Sequence, residues 1–407
     1  MTTASILICG AGVVGLTLAR DLVAAGYDDI LVIDKEPEPG RHASGRNSGV
    51  LHAGIYYAPG TLRAKSCLQG NLRMKRYCEE RGLPLFKSGK VIVARDESEL
   101  PVLRELHERA SLNGAKVELI DERQLAELEP NARSAGGQAL LSHYTAVADP
   151  KLILKSIAAE LAATGKARLR FGARFTGVAA REGKCLRIAT TAGEISCALF
   201  VNAAGAYGDV VAHAFGLGQN YRLIPFKGIY KKVRPQRAHL FRGSIYPVPN
   251  IKNPFLGVHF TRSAHGDVYV GPTAIPALGR ENYGLVAGID AEAPGILLRD
   301  AVLFCRNKKF REVALEEPRK YFFTQFFNDA AKLVKELHPS DIESCPKVGI
   351  RPQLVNVKKN ELVMDFVIEG TDQSVHVLNS ISPAFTSSLY FSEMLRKEHL
   401  TPRLNRL

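Results

Sequence analysis

SILICGAGVVGLTLARDLVAAGYDDILVID, residues 5–34, decides the fold. Ser5–Cys9 is a short apolar run rich in β-branched residues, long enough for a buried parallel strand and too short for a helix. Gly10, Gly12 and Gly15 follow as G-x-G-x-x-G, with Val14 inside the motif. Leu16, Ala19, Leu22 and Val23 recur at helical spacing, and Gly26 stands where a helix C-cap is expected. Ile30–Ile33 is a second apolar strand, closed by Asp34. In this order the glycines allow a tight turn, close approach of a pyrophosphate and close helix–strand packing, while Asp34 can accept from an adenosine ribose. An adenine dinucleotide is the expected ligand; this stretch alone does not choose between NAD and FAD.

The rest of the chain is ordinary in bulk. Its 407 residues are 46% hydrophobic and 23% charged, values usual for a globular protein with core for two or three domains. No run approaches the roughly 18 apolar residues of a membrane span. The glycine motif follows the first residues so closely that no signal peptide is expected, and a cytoplasmic location follows. Seven scattered cysteines without a C-x-x-C pair suggest free thiols and no metal. The net charge of +13 suits an anionic substrate or peripheral contact with an anionic membrane surface. Without a nucleic-acid motif or aromatic interleaving, nucleic acid is not an expected partner.

After Asp34, residues 35–61 are rich in Gly, Ser and Pro and read as one irregular functional loop. Helices are expected at Leu62–Arg81, Glu97–Asn113, from Asp149-Pro150 to Gly165, at Arg299–Arg311, Asn328–Leu337 and Ser387–Lys397. A meander over residues 168–195 leads into LFVNAAGAY (residues 199–207), whose strand end suggests a second approach of backbone to cofactor. From Arg222 to about Glu343, short β-prone segments carrying Tyr, Phe, His and Arg suggest an antiparallel sheet facing substrate. Val363–Ile368 and Ser374–Leu378 read as strands, and Asn379–Ser388 as a small-residue loop.

SGRNSGVLHAGIYYAPGTLRAKSC (Ser44–Cys67) resembles the flavin-contacting region of FAD-dependent L-2-hydroxyglutarate dehydrogenases and oxidases, within the D-amino-acid-oxidase-like flavoproteins. IPFKGIYKKV, IYPVPN, PFLGVHFTR, GDVYVGPTAI, GIRPQLV and LNSISPAFTSS are similar to later blocks of that family, in the same order. The resemblance implies an α/β fold, α+β overall. A discontinuous Rossmann-like FAD domain with a parallel sheet (1–85, 142–218 and 345–407) would be joined to a substrate domain with a mixed or antiparallel sheet (86–141 and 219–344). It implies that Gly10, Gly12, Val14 and Gly15 hold the pyrophosphate, Asp34 the ribose, and that Lys35 lies beside the adenosine. Ser44, Asn47, Ser48 and Gly49 would line the flavin, Val178 the adenine region, and Ala204 and Gly205 the phosphates. Gly349, Ile350, Arg351, Ser382, Ala384 and Thr386 would approach the isoalloxazine. Ile229 departs from the family pattern, which has a glutamate there.

The implied chemistry is oxidation of L-2-hydroxyglutarate, or a close L-2-hydroxy dicarboxylate, with hydride passing to FAD and electrons onward to quinone or oxygen. A histidine suits the hydroxyl proton. His259 is the first candidate and His52 the second, with orienting or covalently carrying the flavin as alternatives for His52. Arg351 can grip a carboxylate with its guanidinium fork; Tyr56, Lys227, Tyr230 and Arg262 are further substrate-side candidates, and Tyr57 a further hydroxyl donor. Three other readings stay open: a flavin oxidase of the same fold for an amine, amino acid or glycerol 3-phosphate; a tRNA-modifying or non-catalytic flavoprotein; and a plain NAD dehydrogenase.

Overall fold

A computed structural model describes residues 2–249, 256–380 and 382–406. The chain divides into two compact units, each assembled from separated segments. Met1–Asn47, Pro150–Pro225 and Arg351–Leu407 make the first; Ser48–Asp149 and Phe226–Ile350 make the second. The divisions expected after residues 85, 141, 218 and 344 thus fall after Asn47, Asp149, Pro225 and Ile350. Residues 48–85 belong to the second unit because strand Val50–Leu51 pairs there with Ala146–Ala148. Asn71, in helix Leu62–Glu80, ties this segment down by donating to the carbonyls of Leu51 at 2.8 Å and Tyr144 at 3.1 Å.

In the first unit, strand Thr2–Cys9 lies parallel between Ile30–Ile33 and Gly193–Asn202. Ala167–Arg170 extends the parallel array beyond Ile30–Ile33. Ser374–Asn379 joins the far end of Gly193–Asn202, also in parallel. Ile6, Leu7 and Ile8 are almost wholly buried, as a strand covered on both faces requires. Helices Val13–Ala24, Pro150–Thr164 and Ala384–Leu395 belong to this unit. The first and last are held together by a buried hydrogen bond between the Thr17 and Ser392 hydroxyls at 2.8 Å.

The second unit is built on a mixed, largely antiparallel sheet. Its strands run in the order Tyr221–Val233, Val268–Gly271, His259–Arg262, Ser244–Pro247, Lys90–Val93, Ala139–Ser142, Val117–Ile120, with Ile342–Asn356 beside the first. Side chains alternate between faces along each strand. One face carries Val91, Val93, Leu141, Ile245, Phe260, Val268 and Val270 into a single apolar core with Phe241 and Phe326. On the other face the register brings Lys90 beside Ser142, Ser244 beside Thr261, and Thr261 beside Tyr269. Tyr246 and His259 follow on that same face. A row of buried polar groups across the middle of a sheet is not needed for packing.

Several local expectations change. The irregular loop after Asp34 contains a short helix, Ala43–Arg46, and the strand Val50–Leu51. The helix expected at Arg299–Arg311 is two, Ala293–Arg306 and Lys308–Glu316, because Asn307 breaks it and caps the second by accepting from the Phe310 N–H. The helix expected at Asn328–Leu337 is displaced to Phe323–Ala331. The small-residue loop Asn379–Ser388 turns helical from Ala384, since Ala and Ser there pack as buried small groups rather than as linker.

Candidate active site

The glycine motif makes a turn that only glycine can occupy. Gly10 has φ +114°, and a Cβ there would lie 2.4 Å from the Ala203 carbonyl oxygen. At Gly15 a Cβ would fall 1.9 Å from the Gly10 oxygen, so helix Val13–Ala24 can approach its strand only without a side chain at that position. Gly12 is the N-cap residue and makes no side-chain cap. The Ser44 hydroxyl supplies one from outside, accepting from the Val13 N–H at 2.9 Å. Asp34 closes the turn: one carboxylate oxygen accepts from the Ala11 N–H at 2.7 Å and the other from the Glu36 N–H at 2.9 Å. A carboxylate has about four lone-pair directions, so Asp34 retains capacity for ribose hydroxyls. Bare backbone, a helix N-terminus and an acid at the second strand end together fit the pyrophosphate and ribose of FAD.

The other expected cofactor residues are distributed as follows. Lys35 pairs with Glu36 and sits 5.4 Å over the Tyr207 ring. Val178 lies in strand Phe175–Glu182, paired with Ile188. Ala204 N–H donates to the Asn202 side chain at 3.1 Å, and Gly205 has φ +57°. Thr386 is buried in helix Ala384–Leu395. Asn47 binds the carbonyls of Ala43 and Ser44. Ser48 and Gly49 begin the second unit, where Gly49 O accepts from Ala148 N–H at 2.9 Å. Gly349 and Ile350 end the second unit, and Arg351, half-buried in the same strand, begins the first segment beyond it.

The second unit gathers an ionisable cluster: Lys90, Tyr246 and His259, which are buried, with His52 and Tyr56, which are half-buried. His259 Nδ1 is 2.8 Å from the Gly257 carbonyl oxygen. A carbonyl can only accept, so Nδ1 carries the proton and Nε2 holds the lone pair. The ring stacks on Tyr246 with centroids 3.8 Å apart. Burial, against a small opposing effect of the Gly257 carbonyl, pushes His259 down to about 3. His52 is also held well below its usual range, by burial and then by Lys90 and His259. Lys90, 1% exposed, donates from Nζ to the Tyr56 hydroxyl at 2.9 Å. Burial pushes it down to about 7. The Tyr230 hydroxyl, hydrogen-bonded to Ser48, is raised by burial and by Tyr246.

Sequence reading named His52, Tyr56, Tyr230 and His259 but missed Lys90 and Tyr246. Lys90 heads the apolar run KVIV, where a lysine ordinarily marks a solvated strand end; only its register beside Ser142 reveals that it points inward. Two expected substrate cations lie elsewhere. Arg262 follows His259 by three residues, so strand alternation sends it to the opposite face. There its guanidinium donates to the Phe241 carbonyl at 2.6 Å. Lys227 is spent on the Gly284 carbonyl at 2.6 Å. Within the family-like blocks, Asn250, Pro254, Phe255 and Ile381 lie outside the described residues.

Residues 5–397 match the model of the FAD dependent oxidoreductase family, DAO. The L-2-hydroxyglutarate dehydrogenase of Indibacter alkaliphilus is 34% identical, the alignment covering 94% of this chain and 96% of that protein. The mitochondrial L-2-hydroxyglutarate dehydrogenase of Nematostella vectensis is 34% identical over 96% of this chain and 89% of that protein. In fold, the chain is similar to the L-α-glycerophosphate oxidase of Mycoplasma pneumoniae, solved with FAD bound, with TM-score 0.76 and 22% identity; the match covers 100% of this chain and 95% of that one. With the glycine cradle built for FAD and this likeness running the length of the chain, the protein belongs to the DAO family of FAD-dependent oxidoreductases, among the L-2-hydroxyglutarate dehydrogenases.

Proposed function

We propose that the protein oxidises L-2-hydroxyglutarate, or a close L-2-hydroxy dicarboxylate, to the 2-oxo acid, with quinone or oxygen as the terminal electron acceptor. The substrate comes from the named relatives. The observation that carries the site assignment is His259, a neutral imidazole whose Nδ1–H is committed to Gly257 and whose Nε2 is thereby an acceptor on the polar face of the sheet.

When bound, FAD supplies the two-electron acceptor for the hydride leaving C2. Gly10, Gly12, Val14 and Gly15 hold its pyrophosphate and Asp34 its ribose. His259 takes the hydroxyl proton on Nε2. The Gly257 carbonyl fixes the tautomer, and the Tyr246 ring fixes the plane. Burial by itself makes His259 a weak base; a substrate carboxylate nearby stabilises the imidazolium and raises its basicity. Arg351 grips a carboxylate, while Tyr56 and Tyr230 donate hydroxyl hydrogen bonds. Peripheral contact of the +13 chain with an anionic membrane surface suits delivery of electrons to quinone.

The test is an anaerobic visible spectrum before and after L-2-hydroxyglutarate. Bleaching of the flavin bands is expected. A flavin that stays oxidised with this acid, but bleaches with glycerol 3-phosphate or an amine, would replace the substrate.

A further inference from the structure

We propose that Lys90, with Tyr56 and Ser244 beside it, is the subsite that binds a carboxylate of the substrate, Lys90 acting as its counter-charge. This rests on the dicarboxylate reading above and deepens it.

The Lys90 ammonium is 1% exposed and lies 4.6 Å from the Tyr56 ring centroid and 4.5 Å from that of Tyr246. Two aromatic faces favour the cation over the amine. Yet among the described residues no carboxylate lies within ion-pair distance of it: the groups around it are His52, His259, Cys67, Tyr56 and Tyr246. Glu129, which lines a cavity with Lys90 and Ser244, is held instead by the Arg242 and Gly243 N–H groups. A buried charge without a counter-charge is costly. One hydrogen goes to Tyr56, which leaves two on the ammonium. Ser244 supplies an independent sign of a missing partner. Its hydroxyl is buried and has no hydrogen-bond partner among the described residues. The pairing of Ile245 with Val91 puts Ser244 next to Lys90 on the same face. A cation, a tyrosine hydroxyl and an unsatisfied serine hydroxyl on one buried face make a donor set for a carboxylate.

Burial lowers Lys90 to about 7, so above that pH the ligand-free site holds mostly the neutral amine. An arriving carboxylate favours the ammonium, and one proton moves from solvent onto Nζ. Below that pH the proton is already present.

Glutarate, which carries both carboxylates and no oxidisable hydroxyl, is the probe. It is titrated into FAD-loaded enzyme by calorimetry in buffers of different ionisation enthalpy. Uptake close to one proton per site at pH 8, lost in Lys90→Met, is expected. Lys90→Met should weaken glutarate binding by at least about tenfold and raise KM for the hydroxy acid more than it lowers kcat. Lys90→Arg should restore part of the loss, and Tyr56→Phe should cost less. Should Lys90→Met fail to fold, the wild-type proton count and Tyr56→Phe decide. Glutarate that does not bind, binds without proton uptake at pH 8, or binds Lys90→Met as tightly as wild type overturns the subsite, even where L-2-hydroxyglutarate is oxidised. Proton-linked, Lys90-dependent glutarate binding without such oxidation would overturn the substrate and leave the subsite standing.

Discussion

The Ser44 hydroxyl caps the N-terminus of helix Val13–Ala24 from 31 residues away, accepting from the Val13 N–H at 2.9 Å. The helix does not cap itself, because its N-cap residue, Gly12, has no side chain. The phosphate end of the cradle therefore depends on a residue in the next loop. Ser44→Ala should lower stability by about 1 kcal/mol, read as a shift of the urea midpoint. It should also weaken FAD retention on gel filtration.

The three motif glycines should not be equally sensitive. Gly15→Ala drives a Cβ into the Gly10 carbonyl, and Gly10→Ala combines a positive φ with a 2.4 Å approach to Ala203. Gly12→Ala meets only the Ser44 hydroxyl, at 3.1 Å. Flavin content per mole of purified protein should therefore fall sharply for the first two and less for Gly12→Ala. Equal losses at all three would show that phosphate contact, rather than chain packing, dominates.

His259→Gln should keep FAD bound and lower the rate of flavin reduction by roughly 100-fold or more, the usual scale for a lost proton acceptor. Stopped-flow reduction by L-2-hydroxyglutarate reads this directly. An unchanged rate would remove His259 as base and return the role to His52.

Arg262→Met should behave as a structural change. With its guanidinium on the Phe241 carbonyl at 2.6 Å, loss should cost about 1.5–3 kcal/mol of stability while KM for the hydroxy acid stays close to wild type. A raised KM at unchanged stability would restore the substrate role that its position in GVHFTR suggests.

Buried neutral histidines make the fold acid-sensitive. His376 and His259 are both pushed down by burial to about 3. Between that value and the ordinary value of about 6.5, the unfolded chain binds more protons than the native one. Stability therefore rises with pH through this window and is fully present above it. His376 packs its ring 4.6 Å from that of Phe215 in the first unit. His376→Phe should shrink the difference between urea midpoints at pH 5 and pH 7.5.

The cradle was legible in the sequence because it is local. Gly10, Gly12, Gly15 and Asp34 each meet a backbone requirement that few residues can satisfy, and all lie within one strand–helix–strand unit. The polar face of the second unit was only half legible. Lys90, Tyr246 and His259 come from three separate strands and share a face only through strand register, which no single stretch contains, while Tyr56 reaches Lys90 from a turn. Residue type pointed to His259, which lies on the polar face of the sheet beside Tyr246. The same type argument mistook Arg262, because counting three residues along a strand changes the face. Lys90 was invisible for the opposite reason: a lysine at a strand end looks like a solubilising residue until its neighbours are known.

The threading of the chain between its two units has a consequence during synthesis. Strand Thr2–Cys9 finds one neighbour, Ile30–Ile33, almost at once. Its other neighbour, Gly193–Asn202, leaves the ribosome nearly two hundred residues later. At about 5–20 residues per second, this is a wait on the order of ten to forty seconds. Strand Ser374–Asn379 and helix Ala384–Leu395 emerge later still. A nascent chain arrested anywhere before them carries an open sheet edge. Truncation before Ser374 should therefore leave the first unit without a strand that its sheet requires.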